Sequence, residues 1–101
     1  MKTQTQGDTL RIYEFEHLGS ANATHLRELA HACLRPEHRI VEVDLASATF
    51  IDSEGLGALI SIQKAIVPAG GRVRLLNACA SVRQVLRLTR LDQLFEFVPA
   101  L

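Results

Sequence analysis

The chain carries no excess of either charge, because 11 basic residues balance 11 acidic ones. No run of five or more basic residues breaks that balance. The sequence therefore lacks the electrostatic footprint of a DNA, RNA or anionic-membrane binder. It also lacks any apolar stretch near the ~18 residues that a membrane span requires. The opening, from Met1 to Asp8, is polar and has no signal-peptide core, so a cytoplasmic protein is expected. Cysteine is scarce: Cys33 and Cys79 lie far apart, form no C-x-x-C, and read as buried free thiols rather than a disulfide. The histidines, His17, His25, His31 and His38, contain no i, i+3 or i, i+4 pair, which speaks against a metal site. There is no G-x-S-x-G, no Walker A and no G-x-G-x-x-G, so neither a hydrolase nor a self-contained nucleotide enzyme is expected. The chain reads as a non-enzyme with no catalytic residues and no cofactor of its own.

What is present fits one domain over residues 1–101, without repeats, low-complexity tracts or a linker. Apolar residues make up 48% of the chain, enough for an ordinary core and too many for disorder. A balanced chain of this size is compatible with a monomer.

Residues 1–8 read as an edge strand or a flexible tail, with Gly7-Asp8 as a turn. From Thr9 to Phe15 the pattern alternates, Leu10 and Ile12 against Arg11 and Tyr13, which predicts a strand. Ser20 or Asn22 then caps a helix carrying Leu26, Leu29, Ala30, Cys33 and Leu34, which Pro36 ends. Arg39–Leu45 predicts a second strand, with Val41, Val43 and Leu45 on one face. At Asp52-Ser53 the period changes to helical, with Leu56, Leu59, Ile60, Gln63 and Ile66 as the main stripe. Pro68 to Gly71 stops that helix. Arg72–Leu76 is a third alternating strand. A helix from Ser81, with Val82, Val85 and Leu86 inward, and a strand at Leu94–Val98 complete the order. The order β-β-α-β-α-β-α-β predicts an α/β fold, a mixed, mostly parallel sheet of four to five strands covered by about three helices. In such a sheet the loops 16–22, 46–53 and 77–81 share the carboxyl edge of the strands, where open α/β sheets bind their ligands.

The most informative stretch on that edge is Phe50-Ile51-Asp52-Ser53-Glu54-Gly55-Leu56-Gly57. Ser53 sits where a strand hands over to a helix, whose first N–H groups lack internal partners and carry the positive end of the dipole. Asp52 or Ser53 can act as N-cap. Glycine costs a helix about 1 kcal/mol relative to alanine, so Gly55 and Gly57 in one turn ask for a reason. Either they admit an incoming phosphate or partner backbone, or they allow close packing of helix on strand.

The run V-E-V-D-L-A-S-A-T-F-I-D-S-E-G-L-G-A-L, followed by A-G-G-R-V-R-L-L-N and V-R-Q-V-L-R-L-T-R-L-D-Q-L-F, resembles STAS domains. It is closest to the bacterial anti-sigma-factor antagonists, over Ile40–Phe97. The resemblance implies that Ser53 is a phosphorylation site and that Asp52, Ser53, Glu54, Gly55, Leu56 and Gly57 form the partner-binding segment. It implies an anti-sigma factor that is itself a serine kinase as partner, bound by the unmodified form, and a serine phosphatase that resets the switch. ATP and Mg²⁺ would belong to the kinase. Asp44 also matches the pattern, although a loop-bonding carboxylate explains it equally well. The match departs at Glu16-His17-Leu18-Gly19, where relatives commonly carry G-E-L-D and only the leucine is kept. Relatives also often carry a further helix after the last strand. The altered loop keeps a second reading open: a non-phosphorylated structural subunit of a larger assembly, such as a sensory complex or a transporter accessory.

Overall fold

Alternation writes the sheet. Leu10 and Ile12, Val41 and Val43, and Val73 and Leu75 are all buried, while their neighbours in sequence are exposed or half-buried, except Leu76 at the end of its strand, which is buried too. The computed structural model describes residues 1–99, so Ala100 and Leu101 of the expected 1–101 domain lie outside the described residues. Its strands are β1 (Lys2–Gln6), β2 (Thr9–Tyr13), β3 (Ile40–Asp44), β4 (Arg72–Leu76) and β5 (Glu96–Val98), in the spatial order β1-β2-β3-β4-β5. β1 pairs antiparallel with β2 through a two-residue turn, in which Gly7 takes the positive φ (+61°) that such turns demand. The other pairings are parallel. Each parallel step is bridged by a helix: α1 (Ala23–Cys33), α2 (Ser53–Ile66) and α3 (Ala80–Leu88).

Since every crossover steps the same way across the sheet, a single hand of connection puts all three helices on one face. Leu26 and Ala30 of α1, Ala58, Leu59, Ile62 and Ile66 of α2, and Val82 and Leu86 of α3 join the sheet residues in one core. Burying a valine or leucine side chain contributes roughly 1.5–3 kcal/mol, so this face drives folding. Among the described residues the opposite face has no helical cover, unlike most parallel sheets. It carries a charge ladder in register, Arg11–Glu42–Arg74–Glu96. Glu42 takes Arg11 at 3.3 Å and Arg74 at 3.7 Å, and Glu96 takes Arg74 at 3.2 Å and Arg72 at 2.9 Å.

Several expectations shift. β2 ends at Tyr13 rather than Phe15 because Glu14 turns into the left-handed region (φ 61°) and cannot continue the ladder. β3 loses one residue at each end, and beyond it Leu18 and Ile51 form an isolated parallel bridge. The stripe of α2 is rotated from the expected one. Gly55, Ala58, Leu59, Ile62 and Ile66 face the sheet, whereas Leu56, Ile60 and Gln63 are half-buried at its flank. The small residues of that stripe let α2 lie close to the strands. The last strand shortens because Leu91–Leu94 winds into a 3₁₀ turn first. Neither cysteine is fully buried: Cys33 and Cys79 are both free and half-buried.

At the amino-terminal edge of the sheet, His38 is sealed at 1% exposure. Its Nδ1 accepts the Arg35 N–H at 2.9 Å, which places the ring proton on Nε2, 3.3 Å from Thr5 Oγ1. This one ring ties the α1–β3 loop to β1. The same edge is drawn together by Arg39 N–H and Ile40 N–H, which share the Asp8 carbonyl at 2.8 and 3.2 Å.

Candidate functional site

The carboxyl edge of the sheet is organised by Asp52. This residue is the N-cap of α2: its backbone is extended (φ −109°, ψ −176°), and Oδ1 accepts the N–H groups of Glu54 at 2.9 Å and Gly55 at 3.0 Å. Its other oxygen, Oδ2, crosses to the β2–α1 loop and accepts Ser20 N–H at 3.2 Å. One carboxylate therefore holds two loops that are 32 residues apart. These donors hold Asp52 below the ordinary carboxylate range, the Gly55 N–H above all, with the Ser20 and Glu54 N–H groups and the charge of His17 adding and partial burial opposing. The loops are stitched further by Leu18 N–H to the Phe50 carbonyl (3.2 Å) and Asp52 N–H to the Leu18 carbonyl (3.1 Å). Above this seam the His17 and Phe50 rings stack, centroids 4.7 Å apart and 10° from parallel, with Phe50 half exposed at 49%.

The departure at Gly19 gains a physical reason here. A Cβ at position 19 would fall 2.6 Å from Asp52 Oδ2. With glycine there, Asp52 has room to reach Ser20. Asn22, at the start of α1, does not cap its helix. It accepts Gly19 N–H at 3.0 Å and donates to the His17 carbonyl at 2.6 Å, which fixes the loop's shape.

Ser53 is the first residue of α2 and is exposed. Its hydroxyl makes no hydrogen bond among the described residues, so it is displayed rather than engaged. Glu54 is exposed beside it, and Leu56 and Gly57 are half-buried one turn on. The two glycines divide the roles expected of them. Gly55 is buried, and a Cβ there would collide with the Leu18 carbonyl oxygen and lie 2.9 Å from Ile51 Cγ1. Its missing side chain serves packing; the space expected for an incoming group is already filled by Leu18. Gly57 faces outward, where a Cβ would meet only Arg27 Nη2, at 3.7 Å.

The third loop closes the rim. The Ser81 hydroxyl donates to the Thr49 carbonyl at 2.8 Å, and Cys79 Sγ lies 3.4 Å from the Ala48 carbonyl and 3.2 Å from Ser81 Oγ. The Ser81 hydroxyl, aided by the Val82 N–H at the start of α3, lowers the Cys79 thiol from its ordinary value against the opposing effect of burial. Asp44 bonds within the loops, accepting Ala46 N–H at 2.9 Å and Asn77 Nδ2 at 3.4 Å. Loops 16–22, 46–53 and 77–81 thus meet as the sequence predicts. The His17–Phe50 stack, the Gly19–Asp52 fit and the place of Arg27 escape sequence reasoning. Only an aromatic placed just before Ile51-Asp52 hints at the first of them.

Comparison with known proteins identifies the family and the fold that carry this rim. The STAS domain family model matches residues 1–101, and the chain belongs to that family. Among solved structures it is similar to an anti-sigma factor antagonist from Mycobacterium paratuberculosis (19% identity, TM-score 0.82, 99% of this chain on 85% of that one). It is also similar to the Bacillus cell fate determinant SpoIIAA in its phosphorylated form (18% identity, TM-score 0.74, 95% on 88%). A third similar structure is the murine anion transporter Slc26a9, of which the match covers 14% (19% identity, TM-score 0.71, 84% of this chain). The five-stranded mixed sheet with three helices is the fold these structures share.

Proposed function

We propose that this chain is an anti-sigma factor antagonist, a protein-binding switch. Unmodified, it sequesters an anti-sigma factor that is also a serine kinase; phosphorylated on Ser53, it releases that partner, and a serine phosphatase resets it. It acts in the cytoplasm, as a monomer, without nucleic acid, membrane or cofactor, and it is not an enzyme. The partner docks on Asp52, Ser53, Glu54, Leu56 and Gly57, with Gly55 shaping the segment from beneath.

The observation that carries this reading is the exposed, unbonded Ser53 hydroxyl at the positive end of a 14-residue helix. Phosphate adds about −1.5 to −2 charges at pH 7. The end of α2 tolerates them, because its dipole favours negative charge, although the Glu54 and Gly55 N–H groups are already held by Asp52. The cost falls on the interface, where Asp52 and Glu54 already make the ground acidic. A penalty of about 3–4 kcal/mol there weakens binding by roughly 10²–10³, enough to switch partners without unfolding anything.

A second reading, a non-phosphorylated structural STAS subunit of a larger assembly, draws on the Gly19 loop and on the transporter among the similar structures. Incubation with the cognate kinase and ATP, followed by mass spectrometry, separates the two. Phosphate on Ser53 is the expected result, and its absence under conditions that modify a control substrate favours the structural subunit.

A further inference from the structure

α1 and α2 run side by side in the same direction, since Arg27 lies against Gly57 and, one turn on, His31 Nε2 sits 3.2 Å from Ser61 Oγ. Both helices therefore open on the Ser53 rim. α1 starts with no side-chain cap and no acidic residue of its own in its first turn; the Asp52 carboxylate is the negative charge nearest its opening loop. Arg27 is half-buried, and among the described residues it takes part in no ion pair and no side-chain hydrogen bond. Arg11, Arg72 and Arg74, by contrast, are committed to Glu42 and Glu96. The Arg27 guanidinium stretches over Gly57, four residues after Ser53 and so on the same helix face, where Cβ positions lie about 5–6 Å apart. A long side chain at position 57 would stand between the two, and glycine leaves the way clear.

We propose that Arg27 is the residue that pairs with the phosphoryl group once Ser53 is modified, holding it against the groove between α1 and α2. This rests on Ser53 being the modified residue. Guanidinium is suited to the task, because its fork of donors matches phosphate oxygens. The charges around the group are the Asp52 and Glu54 carboxylates, which oppose the phosphate dianion, and His17 in the β2–α1 loop, whose positive charge also acts on Asp52. Arg27 is the permanent cation among them, and it sets the direction in which the new charge is presented to a partner.

The test uses the full chain with phosphoserine installed at position 53 during translation, so that it can be read whether or not any kinase modifies this residue. The second ionisation of the phosphate, near 6 in free phosphoserine, is followed by ³¹P NMR. In Arg27→Gln the midpoint should rise by about half a pH unit, since the lost cation no longer favours the dianion. Arg27→Lys keeps the charge and the fold and should raise it less. Lys64→Gln serves as control: Lys64 lies eleven residues further along α2, about 16 Å, roughly twice the screening length in physiological salt. Its midpoint should stay put. An unmoved midpoint in Arg27→Gln, or an equal shift in Lys64→Gln, overturns the proposal. Failure of a kinase to modify Ser53 would count against the switch and not against this pairing.

Discussion

The two edges of the sheet are built to opposite ends. At the amino-terminal edge, polar groups are consumed: His38 is buried with both ring nitrogens partnered, and Asp8 and Arg39 join through backbone bonds. At the carboxyl edge, one carboxylate is fully engaged while the hydroxyl beside it is left without a partner among the described residues. Asp52 spends three acceptor contacts on holding the rim, while Ser53, next in sequence, spends none. The lesson is that a display site in a small domain is recognised by what its neighbours hold still. Rigidity sits in Asp52, Gly19 and Gly55, and exposure in Ser53 and Phe50.

That contrast can be broken in order of expected effect. Ser53→Asp should weaken partner binding roughly 10²–10³-fold while Ser53→Ala keeps it, with stability unchanged within about 0.5 kcal/mol in both, by calorimetric titration and denaturant melts. Changes at the opposite edge should behave in the opposite way. His38→Leu leaves the part-buried Arg35 N–H without its acceptor and should cost about 1 kcal/mol of stability in urea unfolding, with partner affinity of the folded fraction intact. Gly55→Ala should do both kinds of damage. Its Cβ collides with the Leu18 carbonyl, which costs about 1–3 kcal/mol as overpacking, and the displaced Leu18–Asp52 seam should also lower affinity.

A smaller effect concerns acid. The Asp52 carboxyl in the folded chain is held below its ordinary value near 3.8, so its stabilising contribution is complete above that value. As pH falls through the folded value, the carboxyl takes up a proton and the contribution is lost. Asp52→Asn lacks this titration, so the gap in melting temperature between the two proteins should narrow in acid. An unchanged gap from neutral pH to about pH 3 would count against the cap. The smallest effect belongs to the open sheet face. Glu42→Gln breaks the centre of the ladder, whose arginines stay in reach of solvent, and should cost about 1 kcal/mol, and less in high salt.

The strands were legible in the sequence because one sheet face meets solvent, so Arg11, Glu42 and Arg74 punctuate the buried residues and give the period away. α2 was legible as a helix but not in its orientation. It is apolar on several sides, and the residues that pack closest, Gly55 and Ala58, are too small to weigh in a hydrophobic stripe. The turn at Asp52-Ser53 could be read as a cap from local chemistry alone, whereas the choice of Ser53 as acceptor came from resemblance to a family. What stayed hidden depends on residues distant in sequence: Gly19 against Asp52, His17 on Phe50, Thr5 on His38, Arg27 over Gly57. No local pattern encodes such meetings; the crossovers bring them about.

The central claim is that negative charge on one exposed hydroxyl changes binding and spares the scaffold. The most direct measurement compares the unmodified chain with the chain phosphorylated on Ser53, recording affinity for a purified anti-sigma factor and the melting temperature on the same samples. The account predicts at least a hundredfold loss of affinity with a melting temperature that stays within a few degrees. Equal affinities, or a loss that appears only because the phosphorylated chain has melted, would contradict it.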